Sequence, residues 1–183
     1  MVEKSKRILD LARELDCNIV TTHIVNIPAE ENEAKEIARK ACREPALYAD
    51  IIGSYFAVET GPEKAEILAD FIDSLGAMGV RVDFGPANLV MCSCDDPVKA
   101  VYTLKYIVHT HAKDGVNLSM DSPDRKELPL SKGDVDFDKY LLALHDIGCD
   151  GFLTIERECG EDSVADVKFA MDFLNSKKVQ YNI

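Results

Sequence analysis

The 183-residue sequence contains no tryptophan, and aromatic residues make up only 7% of it. It has no apolar run close to the roughly 18 residues that a membrane-spanning helix needs. The opening stretch MVEKSKRILDLAREL is rich in charge and lacks an apolar segment followed by a small-residue cleavage site. No secretory signal is expected there, and the cytoplasm is the expected location. Basic charge is scarce: 21 Lys and Arg stand against 33 Asp and Glu, a net charge of −12. Such a surface repels phosphate backbones, and the basic residues are interleaved with acids, so neither nucleic acid nor membrane is an expected partner. No G-x-G-x-x-G run occurs, which argues against a Rossmann-type cofactor site. Six cysteines are present, at 17, 42, 92, 94, 149 and 159. Cys92 and Cys94 are one residue apart, closer than the spacing of zinc knuckles. Reduced, mostly structural thiols are therefore expected. The chain is also shorter than the roughly 250 residues of a complete eight-stranded α/β barrel.

What is present suits a folded globular protein: 46% apolar and 30% charged residues. No composition break marks a linker, so residues 1–183 are expected to form one domain. Short apolar runs alternate with amphipathic stretches. Strands are expected at 17–23, 55–59, 80–84, 106–111 and 151–156, each followed by a helix. Pro45 is expected to kink or divide the second helix. Asp96 is a plausible N-cap with Pro97 at the first helical position. Residues 112–135 show no periodicity and are expected to form a long loop, a feature that is often functional. Regular βα repeats imply parallel strands joined by crossover helices.

Ionisable residues collect at the carboxyl ends of the expected strands: His23, Glu59, Asp83, His109 with His111, and Glu156 with Glu158. In parallel α/β folds ligands bind at this rim. Two Glu, a His and an Asp form a mixed oxygen and nitrogen set suited to Mn²⁺, Mg²⁺, Co²⁺ or Zn²⁺. A cation there could polarise a carbonyl and a neighbouring hydroxyl, and the carboxylates could move a proton beside that carbonyl. The bland alternative is a set of unrelated, solvated rim charges.

The runs AVETGPEKAEIL (57–68), GPANLVM (85–91), YIVHTHAKDG (106–115), KGDVDFDKYLLAL (132–144) and GFLTIERECGED (151–162) resemble the sugar phosphate isomerase/epimerase family. This is the xylose isomerase-like TIM barrel group, related to endonuclease IV. The resemblance covers nearly the whole chain. It implies a TIM-barrel-type α/β fold with a Glu–Asp–His–Glu metal set. Carried over by position, Glu59, His111 and Glu156 are ligands, with Glu59 and Glu156 the proton-transfer pair for isomerisation or epimerisation of a sugar, sugar phosphate or polyol-like substrate.

Two departures follow. Gly85 stands where related sequences carry the Asp ligand, and Asp83, two residues earlier on the same face and one layer deeper, is the candidate metal ligand in its place. The five strands match the fourth through eighth of the barrel, so the first three βα units are missing. The open edges could be covered by a second copy, by another chain, or by the rest of a longer protein; self-association into a dimer is the favoured expectation. His23, Asn88, His109, Lys113 and Glu158 are candidate substrate contacts. For Asn88 the alternative is a turn cap, for His109 a satisfied core imidazole, and for Lys113 a pairing with Asp114 or a site carboxylate. Glu63 is read as a first-turn helix acid. The alternative function is a degenerate partial barrel that binds a small molecule or a subunit without turnover.

Overall fold

Apolar, β-branched runs alternate with amphipathic helices along the chain, and the resulting strands pair side by side in sequence order. The computed structural model describes residues 2–24, 26–93, 95–119 and 124–182. Cys94, and with it the Cys92–Cys94 spacing, lies outside the described residues, as do 120–123 of the expected loop. Cysteines 17, 42, 92, 149 and 159 are free thiols. No helix among the described residues is long and apolar enough to cross a membrane.

The elements are α1 (Val2–Glu14), β1 (Ile19–Thr22), α2 (Glu33–Ile52), β2 (Tyr55–Glu59), α3 (Ala65–Ser74), β3 (Val80–Phe84), α4 (Pro86–Asn88), a π-helical turn (Leu89–Ser93) and α5 (Pro97–Leu104). They continue with β4 (Ile107–Ala112), β5 (Asp114–Asn117), β6 (Arg125–Leu128), α6 (Phe137–Asp146), β7 (Leu153–Ile155) and α7 (Ser163–Tyr181). Strands β1, β2, β3, β4 and β7 form one parallel sheet in that order. β1 and β4 come within 8 Å, Cα to Cα. Three strand spacings in a flat sheet would put them about 14 Å apart. The sheet is therefore curled into a half-barrel.

Burial follows position in the sheet. The central strands β2 and β3 carry Ala57, Val58, Val82 and Phe84, all fully buried, as strands covered on both faces require. Leu68 and Phe71 of α3 and Val101 and Leu104 of α5 are buried in the same core. The Tyr140 ring stacks on Phe84 with centroids 5.6 Å apart. The outer strands β1 and β7 are only half-buried.

Helix starts match their local chemistry. Asp96 caps α5, accepting from Val98 N at 2.9 Å, with Pro97 at the first helical position. Two expectations need correction. Of the kink or division expected at Pro45, the division does not occur, and α2 is one helix through it. A proline inside a helix costs about 3 kcal/mol. Here α2 is anchored on α1, through Lys6–Glu44 at 3.2 Å and Tyr48–Asp10 at 2.6 Å, and Pro45 itself is buried. The expected loop 112–135 is not structureless. It contains the antiparallel hairpin β5–β6.

That hairpin is tied down by Asp114. Its buried carboxylate accepts from the N–H groups of Gly115 at 2.8 Å, Gly133 at 2.9 Å and Val135 at 3.1 Å. Gly133 must be glycine here, because a Cβ would collide with the Asp114 carboxylate and come 2.5 Å from Gly115 N.

Candidate functional site

The register of the sheet assembles the site. Glu59 of β2 pairs with Asp83 of β3, which pairs with His109 of β4. Two residues on, His111 pairs with Thr154 of β7. Because strand side chains alternate, His109, His111 and Lys113 share one face, and so do Thr154, Glu156 and Glu158. Glu156 follows β7 directly and is fixed by its N–H donating to Ala112 O at 3.2 Å.

Glu59, His111 and Glu156 come together: each offers a ligand atom, and these lie within 4.8 Å of one another. Glu59 is buried. Asn88 Nδ2 donates to its Oε1 at 3.0 Å and also to Thr60 O at 3.0 Å, so Asn88 ties the acid to its own loop. His23 Nε2 lies 2.9 Å from Glu59 Oε2, with the His23 side chain 73% exposed at the rim. Burial pushes the Glu59 carboxyl above its usual range, against the pull of His23 and His111.

Asp83 lies one layer deeper and is 0% exposed. His109 Nδ1 is 2.8 Å from its carboxylate and His111 Nε2 is 3.1 Å from it. Burial would raise this carboxyl, but the two imidazoles outweigh it and hold it below its usual range. His109 Nε2 meets Thr154 Oγ1 at 2.8 Å, so both of its nitrogens are engaged. Asp83, His109 and His111 also lie within 4.8 Å of one another through their ligand atoms.

His111 Nδ1 and Glu156 Oε2 approach to 2.7 Å. Both atoms are buried, and apart from this ion pair neither has a polar partner. Burial would lower the His111 pKa, but the flanking Asp83 and Glu156 carboxylates push it up to about 10. Contact with His111 and then Lys113 outweighs burial at Glu156 and draws it down to about 2.

Lys113 is buried among acids. Its Nζ lies 3.1 Å from Glu156 Oε1 and 3.7 Å from Glu127 Oε2, and it also pairs with Glu158. It does not pair with Asp114, which is occupied by backbone N–H groups. Glu127, on the β5–β6 hairpin, also accepts from Arg157 Nη1 at 2.6 Å and from Glu158 N at 3.1 Å. The hairpin therefore braces the far side of the site. Sequence reasoning missed Glu127, Thr154 and Thr60. The last bonds Gly85 twice, donating to its carbonyl at 3.0 Å and accepting from its N–H at 2.9 Å. Glu63 is not in a helical turn. It is buried ahead of α3, where burial raises its pKa against the N–H groups of Ile27 and Gly61.

The residues fit a divalent cation. Bond lengths of about 2.0–2.2 Å to oxygen and nitrogen put ligand atoms of one ion up to about 4.4 Å apart, and those of Glu59, His111 and Glu156 all lie within 4.8 Å of one another. Two buried acceptors 2.7 Å apart need a positive charge between them, which a cation can supply. A cavity of about 590 Å³ lies elsewhere, between α6, β7 and α7, and is lined by none of these ligands.

A curled parallel sheet with acids and an imidazole at its carboxyl rim defines a TIM-barrel-type α/β protein. The chain belongs to the xylose isomerase-like TIM barrel family, whose model matches residues 2–177. It is similar to a xylose isomerase domain protein from Planctomyces limnophilus, at 27% identity and a TM-score of 0.89, covering 98% of this chain and 64% of that one. It is also similar to a D-tagatose 3-epimerase-like protein, at 22% identity and a TM-score of 0.78, covering 98% and 70% of the two chains. A third is a xylose isomerase-like TIM barrel protein from Mycobacterium smegmatis in complex with magnesium, at 18% identity and a TM-score of 0.77, covering 97% and 67%. The chain thus spans 64% of the length of its Planctomyces relative. No curated protein matches it.

Proposed function

We propose that the chain forms the catalytic part of a metal-dependent isomerase or epimerase acting on a sugar, sugar phosphate or polyol-like substrate. The observation that carries this is the convergence of Glu59, His111 and Glu156, with buried acceptor atoms of the last two only 2.7 Å apart. Family membership and the likeness to an epimerase-like protein support the reaction class. The magnesium complex of a relative supports the cation.

Glu59, His111 and Glu156 would hold the cation, which would supply positive charge beside a substrate carbonyl and hydroxyl. Glu59 and Glu156 come from strands separated by two others and reach the centre from different sides. One carboxylate takes the proton from the carbon next to the carbonyl, breaking a C–H bond. The other, as its acid, returns a proton to the opposite face. Asn88 keeps Glu59 aimed, and Lys113 does the same for Glu156. His23, at the exposed rim, is placed to meet a substrate hydroxyl.

The test is proton exchange. Protein loaded with Mn²⁺ and incubated with ketoses in D₂O is expected to place deuterium at the carbon beside the carbonyl. Glu59→Gln and Glu156→Gln should each slow exchange by about 10²–10⁴-fold. Exchange equal to that of a metal-free control across a ketose panel would end this reading.

The five strands correspond, in this proposal, to the fourth through eighth of the barrel. Among the described residues β1 and β7 each hydrogen-bond to a single neighbour, and unpaired edges invite pairing. A second copy is the proposed cover. Light scattering is expected to give twice the 20.3 kDa chain mass; a clean monomer would contradict it.

A further inference from the structure

Asp83 is a buried carboxylate with two imidazoles aimed at it. An ionised carboxylate accepts and cannot donate. Both facing nitrogens, His109 Nδ1 and His111 Nε2, must therefore carry hydrogen. The second nitrogen of His109 is also used, since Thr154 Oγ1 lies 2.8 Å from Nε2 and its hydroxyl can donate there. Thr154, His109 and Asp83 thus form a closed set of hydrogen bonds with no atom left over.

His111 differs. With hydrogen on Nε2, the nitrogen left to hold a proton or a metal ion is Nδ1, which is buried. Opposite it is Glu156 Oε2, 2.7 Å away and also buried. Two acceptors this close must share a positive charge, a proton or a metal ion. On the Asp83 side every polar atom is already matched. The residue after β3 is Gly85, which has no side chain to offer, and a Cβ there would press on Asn88 Nδ2 at 3.1 Å.

Resting on the metal-dependent reading above, we infer that the centre has three protein ligands, Glu59, Glu156 and His111 through Nδ1, and that Asp83 is a positioning residue that fixes the His111 tautomer through Nε2–H. Carboxylates that accept the second N–H of a ligating imidazole set its orientation and basicity. Three protein ligands would leave the cation open to a substrate oxygen.

The test uses Zn²⁺ as probe with the full chain. In long-range ¹H–¹⁵N spectra of the zinc-loaded wild type, His111 should show a protonated Nε2 and a metal-bound Nδ1. Calorimetry should give one Zn²⁺ per chain. Asp83→Asn should keep that stoichiometry with affinity reduced about 10–100-fold, whereas Glu156→Gln should lose stoichiometric binding. Zinc on Nε2, or a folded Asp83→Asn chain that loses zinc as fully as Glu156→Gln, would overturn the inference and leave the metal-dependent reading standing. A wild type that takes up no zinc would overturn both. If Asp83→Asn does not fold, the wild-type spectrum decides alone.

Discussion

His111 Nδ1 and Glu156 Oε2 face each other as an ion pair, 2.7 Å apart in a buried site. The pair holds either a proton or a metal ion between its lone pairs. Without metal, the His111 pKa is pushed up to about 10, so at neutral pH the proton is in place and a metal must displace it. Apparent metal affinity is therefore expected to rise about tenfold per pH unit below that value and to level off above it. Calorimetry in buffers of different ionisation enthalpy should show about one proton released per ion bound at neutral pH. A pH-independent affinity would count against His111 as a ligand.

The same pair shapes the stability of the metal-free chain. Glu156 is lowered from 4.5 to about 2, so its contribution is present above 4.5 and lost as pH falls through about 2. His111 is raised from 6.5 to about 10, so its contribution is full below 6.5 and lost as pH rises through about 10. Denaturation midpoints of chelator-treated protein should show this pair's contribution at its fullest between those limits and falling away on both sides. Glu156→Gln should flatten both limbs.

Asn88 donates to Glu59 Oε1 and to Thr60 O, and so couples the acid to the loop beneath it. Asn88→Ala is expected to lower the exchange rate with a smaller change in KM, because the acid stays but loses its aim. Asn88→Asp places a second carboxylate against Glu59 and should slow exchange further. Steady-state deuterium incorporation separates the two effects.

Asp114 closes the hairpin through three backbone N–H groups. Asp114→Ala leaves those donors buried and unmatched, at about 1–3 kcal/mol for each one that finds no water. Gly133→Ala forces the loop off the carboxylate and should cost about 1–3 kcal/mol. Urea denaturation measures both, and unchanged midpoints would show that the hairpin is not held in this way.

Much of the site was legible because its signal is local. Glu59 and His111 are ionisable residues in strands that are otherwise apolar, Glu156 follows such a strand directly, and parallel strands point their carboxyl ends the same way. Asp83 was legible as one layer deeper from strand periodicity alone, and it is fully buried there. The β5–β6 hairpin was not legible. Arg125–Leu128 is short and mostly charged, with none of the apolar alternation that marks a strand. Glu127 was missed with it, because its partner Arg157 is 30 residues away. Pro45 misled for a related reason: the local rule predicts a break, and the tertiary contacts of α2 override it. Glu63 shows the reverse, an acid near a helix start whose place is set by backbone donors from another loop.

Anomalous diffraction from crystals of the protein grown with Mn²⁺ tests the central claim most directly. The expected result is one strong peak per chain, about 2.0–2.3 Å from a Glu59 oxygen, a Glu156 oxygen and His111 Nδ1. No peak at saturating Mn²⁺, or one that leaves Glu59 or Glu156 out of reach, would contradict it.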